Sequence, residues 1–479
     1  MRACTIAAAL AALLLALTAT TTLWDRDEAR FGQAAVEMLS SGDYLLPTFN
    51  GELRPQKPPL VYWLMTISLR VLGQTEMAVR LWSSIAMAVA ALATFAIGRR
   101  LWSPNVGLGA MAILGLTPLT MLEGVAATAD AVLLAAITVS IAIASRAIEE
   151  VPTWRATAGL GLALGVGALA KGPVAIGLPV GIMVVTHFAA FRSRAWSHRR
   201  AAVTLGAAAA VGLSLFSLWL VPAAIASSGG IATRGLVREN LVRLLQPMEG
   251  HGTSLALAPF YYPAVITVGF APWVVYLPRA LRRMMLVGVR TSPRNALLAA
   301  WIGVPLVLFT VSATKLPHYI LPAFPALALS VAAVIAAGTH PSRPFETRTK
   351  RLIGVSVVTV LGLGAVAGPI IERYKPVPHV MKHVRDSNVS GPLYAFGFEE
   401  PSLAFYGRRR LVGIQGNAAL EQWARAPGEA LLVAPRRALD VAERTHGPFG
   451  LRELGRHSGW NYVKGDWVEL VAFVRPGDR

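Results

Sequence analysis

Long apolar runs recur along the chain, parted by short polar connections. A helix needs about 20 apolar residues to cross the hydrocarbon core. Candidate spans read as Cys4–Leu23, Met77–Gly98, Val106–Leu122, Ala126–Ala144, Ala156–Ala170, Val174–Phe191, Ala201–Ala223, Pro259–Leu277, Ala296–Val311, Tyr319–Ala337 and Leu352–Ile371. The run Pro58–Leu72 is short and proline-headed, which predicts a helix lying at the interface instead. Beyond Ile371 the pattern changes to mixed charge with short apolar runs, Leu393–Phe396, Leu431–Val433 and Trp467–Val474, separated by Gly and Pro. That spacing predicts a small external α/β domain of about 100 residues. The expected fold is an α-helical polytopic membrane protein with about 11 spans, up to about 13. A transmembrane domain over 1–371 carries an external juxtamembrane segment at 24–76, and a soluble external domain follows at 372–479.

Composition agrees with lipid as the solvent. Of 479 residues, 54% are hydrophobic and 15% charged, and mean hydropathy is +0.52. Soluble domains carry roughly 25% charged residues. The net charge of +19 has its first explanation in basic cytoplasmic loops rather than in nucleic acid. With Arg2 placed in the cytoplasm, alternate crossing puts Arg99-Arg100, Arg146–Arg155, Arg192–Arg200, Arg279–Arg294 and Arg343–Arg351 on that side, without a slip. A cleaved signal peptide is the other reading of Cys4–Leu23, but no clear small-x-small site follows it, and Trp24 is external either way. Cys4 is the only cysteine, which leaves no intrachain disulfide and no thiolate cluster. No Walker loop occurs.

The unusual polar clusters then fall on one face: Asp25–Lys57, Glu123–Asp130, Lys171, Arg234–His251 and Lys315–Tyr319. Solvated loops would scatter over both sides, and ionisable groups at the membrane boundary are costly unless paired or functional. The arrangement points to a composite external site. Asp27 and Glu28 are adjacent carboxylates suited to a base or to sugar hydroxyls, or else to the positive end of the helix Ala29–Leu39. Asp130 stands alone among Ala and Leu and needs a cation or a wet cavity. Lys57, Arg243 and Lys315 are each compatible with snorkelling; converging with Tyr319 they would hold a phosphate. Lys171 sits in a turn between two short spans. His251 and His318 have neither a close partner His nor an HExxH context, so they give little metal signal. A transport path would instead place such groups at the bilayer midplane, where this chain is apolar.

Taken together, Asp27-Glu28-Ala29-Arg30-Phe31, Ser41-Gly42-Asp43-Tyr44, Lys57-Pro58-Pro59, Leu169-Ala170-Lys171-Gly172-Pro173 and Lys315-Leu316-Pro317-His318-Tyr319-Ile320-Leu321-Pro322 resemble the polyprenyl-phosphate-dependent GT-C glycosyltransferases. Within them the chain is most similar to the aminoarabinose transferases of lipid A, relatives of the protein O-mannosyltransferases. The resemblance implies Asp27, Asp130 and Glu28 as catalytic carboxylates, and Lys57, Arg243, Tyr319 and Lys315 at the donor phosphate. Arg30, Lys171 and His318 would line the cavity. It implies a sugar delivered on undecaprenyl-type phosphate to lipid A, another envelope glycan or a protein, at the periplasmic face of the bacterial inner membrane. Gln56 and Asn240 stand where the group often has Glu and His, so no metal and no other cofactor is expected.

Overall fold

The computed structural model describes residues 2–19, 21–148, 150, 152–190, 197–242, 245–246, 257–337, 347–362 and 366–477. Helices dominate its first three quarters. Helices α1 (Arg2–Thr18) and α4 (Glu76–Leu101) flank a polar segment that holds α2 (Asp27–Ser41), a hairpin of β1 (Thr48–Phe49) and β2 (Glu52–Leu53), and α3 (Leu60–Leu72). Next come α5 (Pro104–Gly115), α6 (Pro118–Val125), α7 (Asp130–Ala144), α8 (Trp154–Lys171), α9 (Val174–Ala189) and α10 (His198–Ala226). A π-helical stretch, Ile231–Val242, precedes the later helices.

Among the described residues four helices are long and apolar enough to cross a membrane: α4, α10, Pro293–Val311 and Pro317–Ala337. Two bent pairs raise the number to six at most. The predicted span Val106–Leu122 is one of these pairs: α5 and α6 meet at 64°, with Pro118 opening the second helix. The other, Ala258–Gly269 with Trp273–Val287, turns by 113° where Pro259–Leu277 reads as continuous. Proline supplies no amide hydrogen and restricts the residue before it, so an unbroken apolar run need not be an unbroken helix. Helices α1, α7 and α9 are apolar but shorter, and each matches a predicted span in position. The predicted run Ala126–Ala144 becomes helical only at Asp130, which therefore opens the first turn.

The chain after the last apolar helix builds one mixed sheet. Strands β3 (Leu393–Phe396), β4 (Leu411–Ile414), β5 (Ala430–Pro435), β6 (Arg452–Asn461) and β7 (Asp466–Arg475) order as β4-β3-β5-β7-β6. Strand β3 runs parallel to β4 and β5, while β7 is antiparallel to β5 and β6. Alternation buries Leu431, Val433, Leu470 and Val474 in one core and Leu432, Val471 and Phe473 in a second.

Polar contacts fasten this sheet to the segment between α1 and α4. Asn50 and Leu411 exchange two hydrogen bonds, at 2.5 and 2.8 Å. The Tyr406 hydroxyl accepts from Leu23 N and donates to Glu76. Asp25 accepts from Ser402 N at 2.8 Å and from its hydroxyl at 2.5 Å, while Asp25 N donates to the Tyr462 hydroxyl. Burial pushes the Asp25 carboxyl up to about 7, against the lowering pull of the Ser402 bonds.

That shift fixes a pH dependence. The native state holds the Asp25 proton more tightly than the unfolded chain, so the stabilising contribution is full below about pH 4 and is lost as pH rises through about 7. Thermal melts across this window should show a falling component that Asp25→Asn removes. An unchanged pH profile in that variant would contradict the assignment.

Candidate functional site

Two cavities meet at one charged neck. The first, of about 310 Å³, is walled mainly by apolar side chains, among them Leu133, Phe216, Trp219, Leu220, Leu308 and Phe309. The second, of about 750 Å³, is polar and takes in Asp25, Arg26, Asp27, Arg30, Arg54 and Glu123. Gln56, Lys57, Asp130, Lys171, Glu239, His318 and Tyr319 line both. A ligand with a hydrocarbon chain, an anionic junction and a polar head matches this sequence of environments.

Each neck residue is placed by the end of an element. Asp130 begins α7 and Lys171 ends α8, and their side chains form a hydrogen-bonded ion pair. Gly172 follows Lys171 at φ +82°, a left-handed turn that favours glycine and reverses the chain into α9. The Lys171 ammonium also lies 5.3 Å from the centre of the Tyr319 ring. His318 and Tyr319 belong to the tight helical turn Pro317–Ala323. His318 Nδ1 is 3.8 Å from Glu123, and its Nε2 is 3.8 Å from Asp130. Lys57 Nζ stands 3.8 Å from Glu239 of the π-helix, longer than a hydrogen-bonded ion pair. That approach depends on Gly235, where a Cβ would come within 2.1 Å of the Pro55 carbonyl oxygen.

The polar cavity gathers Asp27, Arg30, Lys57, Asp130, Lys171, His318 and Tyr319, all read from sequence as candidates. No hydrogen bond or ion pair to the Asp27 side chain occurs among the described residues, and that side chain is exposed to the cavity. Arg54 donates to the Tyr62 hydroxyl at 3.0 Å and lies over the Phe31 ring. Two expected site residues have other roles. Lys315 turns back onto the end of the helix Pro293–Val311, donating to Thr310 O at 2.9 Å and Ser312 O at 2.5 Å, and lines neither cavity. Glu28 reaches the cavity wall, but its oxygens take donors from Arg80 Nε (2.8 Å), Arg80 Nη2 (2.6 Å), Trp24 N (2.8 Å) and Ala127 N (2.6 Å). Burial acts to raise the Glu28 carboxyl, yet the Arg80 charge and these bonds hold it below its usual value. It is an anchor, not a group open to substrate. Arg243 and His251 lie outside the described residues.

Sequence reasoning passed over Glu123, Glu239 and Arg80 as separate residues. Glu123 carries the signal that singled out Asp130, a carboxylate in an apolar run. Arg80 sits in the first turns of a predicted span, where its partner 52 residues away cannot be read. Among the described residues no group of three His, Cys, Asp or Glu is placed to hold a metal ion.

Residues 56–221 match the family described as dolichyl-phosphate-mannose-protein mannosyltransferase. An undecaprenyl phosphate-α-4-amino-4-deoxy-L-arabinose arabinosyl transferase of Sodalis glossinidius is 32% identical over 317 residues, covering 65% of this chain and 55% of the relative. Its counterpart in Pectobacterium carotovorum is 30% identical over 355 residues, 72% of this chain and 61% of the relative. The aligned part of this chain thus spans little more than half the length of these relatives. Among solved structures, ArnT from Cupriavidus metallidurans bound to undecaprenyl phosphate superimposes with a TM-score of 0.78 at 17% identity, over 98% of each chain. The oligosaccharyltransferase AglB of Archaeoglobus fulgidus, in complex with an inhibitory peptide and a dolichol-phosphate, gives a TM-score of 0.53 at 9% identity, over 97% of this chain and 74% of its own. The chain has the fold of ArnT, and the resemblance read from the sequence is borne out.

The Glu28–Arg80 pair yields a stability prediction. Arg80→Met strands a buried carboxylate and should cost about 3–5 kcal/mol. Apparent melting in nanodiscs should fall accordingly, and the double variant Glu28→Leu/Arg80→Met should recover part of the loss. A single variant that melts like the parent would show that the pair anchors nothing.

Proposed function

We propose that this chain is an integral-membrane glycosyltransferase that moves a sugar from a polyprenyl phosphate to an envelope acceptor, lipid A or a related glycolipid. The observation that carries the reading is the meeting of an apolar and a polar cavity at Lys57, Asp130, Lys171, Glu239, His318 and Tyr319. The prenyl chain takes the apolar cavity, the phosphate the neck, and the sugar and acceptor the polar cavity. The names of the Sodalis and Pectobacterium relatives favour an amino-pentose donor.

The residues present can perform the transfer. The acceptor oxygen attacks the anomeric carbon while the bond from that carbon to the phosphate oxygen breaks, and the departing electron pair stays on the lipid phosphate. Lys57 meets the charge that grows there, Tyr319 donates a hydrogen bond to it, and Arg243 is assigned beside them; fixed donors aimed at developing charge are the larger part of such catalysis. A hydroxyl acceptor loses its proton to Asp27. A phosphate acceptor is already ionised, and Asp27 then orients the sugar. Asp130, paired with Lys171, is its charged partner across the cavity.

The proposed topology has about 11 spans, with residues 1–371 as the membrane domain and 372–479 as an external domain. The segment 24–76 roofs the site on the periplasmic side of the inner membrane. The alternation of basic loops and the shared side of the polar clusters support this orientation. No divalent metal and no cofactor beyond the lipid-linked sugar is proposed, a reading that rests on Gln56 and Asn240.

The test is donor affinity and single-turnover rate of purified protein in nanodiscs, run with and without exhaustive chelation. Lys57→Ala should weaken donor binding and slow turnover by about 10²–10³. Asp27→Asn should bind donor normally; with a hydroxyl acceptor it should turn over poorly, and with a phosphate acceptor it should keep substantial activity. Near-parental values for Lys57→Ala in both measurements would overturn the reading. Glycosylated peptide as the sole product would move the acceptor to protein, lipid flux without product would indicate transport, and turnover lost on chelation and restored by one added metal would refute metal independence.

A further inference from the structure

The hairpin of β6 and β7 carries an aromatic cluster that neither the cavity nor the sheet core uses. Trp460 and Trp467 face each other in the strand register, yet they are 39% and 62% exposed, and Tyr374 is 48% exposed. Their rings pack edge to face, with Trp467 lying 5.7 Å from Tyr374 and 5.8 Å from Trp460. Three large rings left outside a fold that buries Trp273 and Trp301 completely need a partner of their own.

Position in the chain identifies that partner. Tyr374 stands two residues beyond the short helix Gly368–Glu372, whose Ile370 and Ile371 are themselves exposed. Exposed apolar and aromatic side chains therefore stand on both sides of Glu372 and Arg373, from the end of the last apolar segment to the hairpin. The hairpin is also held at that level by backbone. Trp460 N donates to Tyr374 O at 2.8 Å, and His457 Nε2 lies 2.9 Å from Arg373 O. Gly459 permits this approach, since a Cβ there would come within 2.3 Å of Tyr374 O. At the tip, Tyr462 packs on Trp24 with ring centres 5.0 Å apart, which ties the same hairpin to the exit of α1. Trp and Tyr are the residues that gather where hydrocarbon gives way to headgroups, the apolar ring inward and the polar edge wet.

We propose that Tyr374, Trp460 and Trp467 seat the C-terminal sheet in the headgroup layer of the leaflet next to the polar cavity. Phospholipid is the occupant of this face. The seat fixes the height and tilt of the sheet at the point where Ser402 and Tyr462 hold Asp25 on the cavity wall. It stands apart from the transferase reading, because it requires only that the apolar helices lie in lipid.

The test uses the full chain in phosphatidylglycerol–phosphatidylethanolamine nanodiscs, with Cys4→Ser and a bimane label on Trp467→Cys. Lipid bearing a headgroup-level nitroxide should quench this site at least roughly twofold more than a control label on Arg425→Cys, as expected for a ring in the interfacial layer. A label on Tyr374→Cys should match Trp467→Cys. Should the substituted chains fail to fold, brominated-lipid quenching of the parent and of Trp467→Phe serves instead, and the quenched share of tryptophan emission should drop in the variant. Quenching at position 467 equal to the Arg425 control, or identical brominated-lipid quenching of parent and variant, would overturn the proposal. So would protection of the site by soluble glycan or protein with no lipid quenching.

Discussion

One buried ion pair sets the geometry of the cavity. Arg80, 1% exposed, reaches from α4 to bind Glu28 and the carbonyls of Thr18 (3.1 Å), Thr21 (2.7 Å) and Thr22 (2.9 Å). Glu28 in turn accepts from Trp24 N and Ala127 N. Four pieces of chain are therefore pinned at one point: the end of α1 with the residues after it, the start of α2, the first turns of α4 and the turn before α7. Two of the candidate carboxylates hang from that point. Asp27 is the residue before Glu28, and Asp130 lies three residues past Ala127. Two buried charges are costly to desolvate, and the geometry repays this only because nearly every donor and acceptor is used. The outcome is a fixed frame in which Asp27 is exposed to the cavity.

The electrostatics of the neck follow a different rule. Lys171 is hydrogen-bonded to Asp130, whereas Lys57 and Glu239 remain 3.8 Å apart and His318 is 3.8 Å from both Glu123 and Asp130. Tight pairing around the frame gives precision of placement. At the neck, Lys57 and Lys171 bring two cations to one place, which suits an anionic ligand. The apolar cavity beyond it is lined mainly by hydrocarbon, so solvation favours a lipid phosphate with its chain on one side of the neck and its head on the other.

Much of this was legible in the sequence, for a physical reason. In a chain that is 54% hydrophobic, an ionisable residue at a lipid boundary stands out against its neighbours, and Asp130, Lys57 and Lys171 were found in that way. The three apolar runs after residue 371 coincide with β3, β5 and β7 for the same reason, since short runs bounded by Gly and Pro are strand signals. Pairings were not legible. Nothing local says that Lys171 meets an acid 41 residues earlier, or that Glu28 is consumed by Arg80. Lys315 shows the opposite failure, a cation at the right boundary captured by carbonyls at the end of the preceding helix. Hydropathy also counts apolar residues without regard to breaks, which is why the bends of 64° and 113° leave no mark on the pattern.

The central claim is that the apolar and polar cavities form one site for a lipid-linked sugar phosphate, joined at Lys57 and Tyr319. Its most direct test is a cryo-electron microscopy map of the full chain in nanodiscs with a non-hydrolysable polyprenyl phosphosugar bound. The account predicts phosphate density in contact with Lys57 and Tyr319, isoprenoid density along Phe216, Trp219 and Phe309, and the sugar on the side of Asp27. A phosphate bound away from the neck, or a prenyl chain outside the apolar cavity, would contradict it.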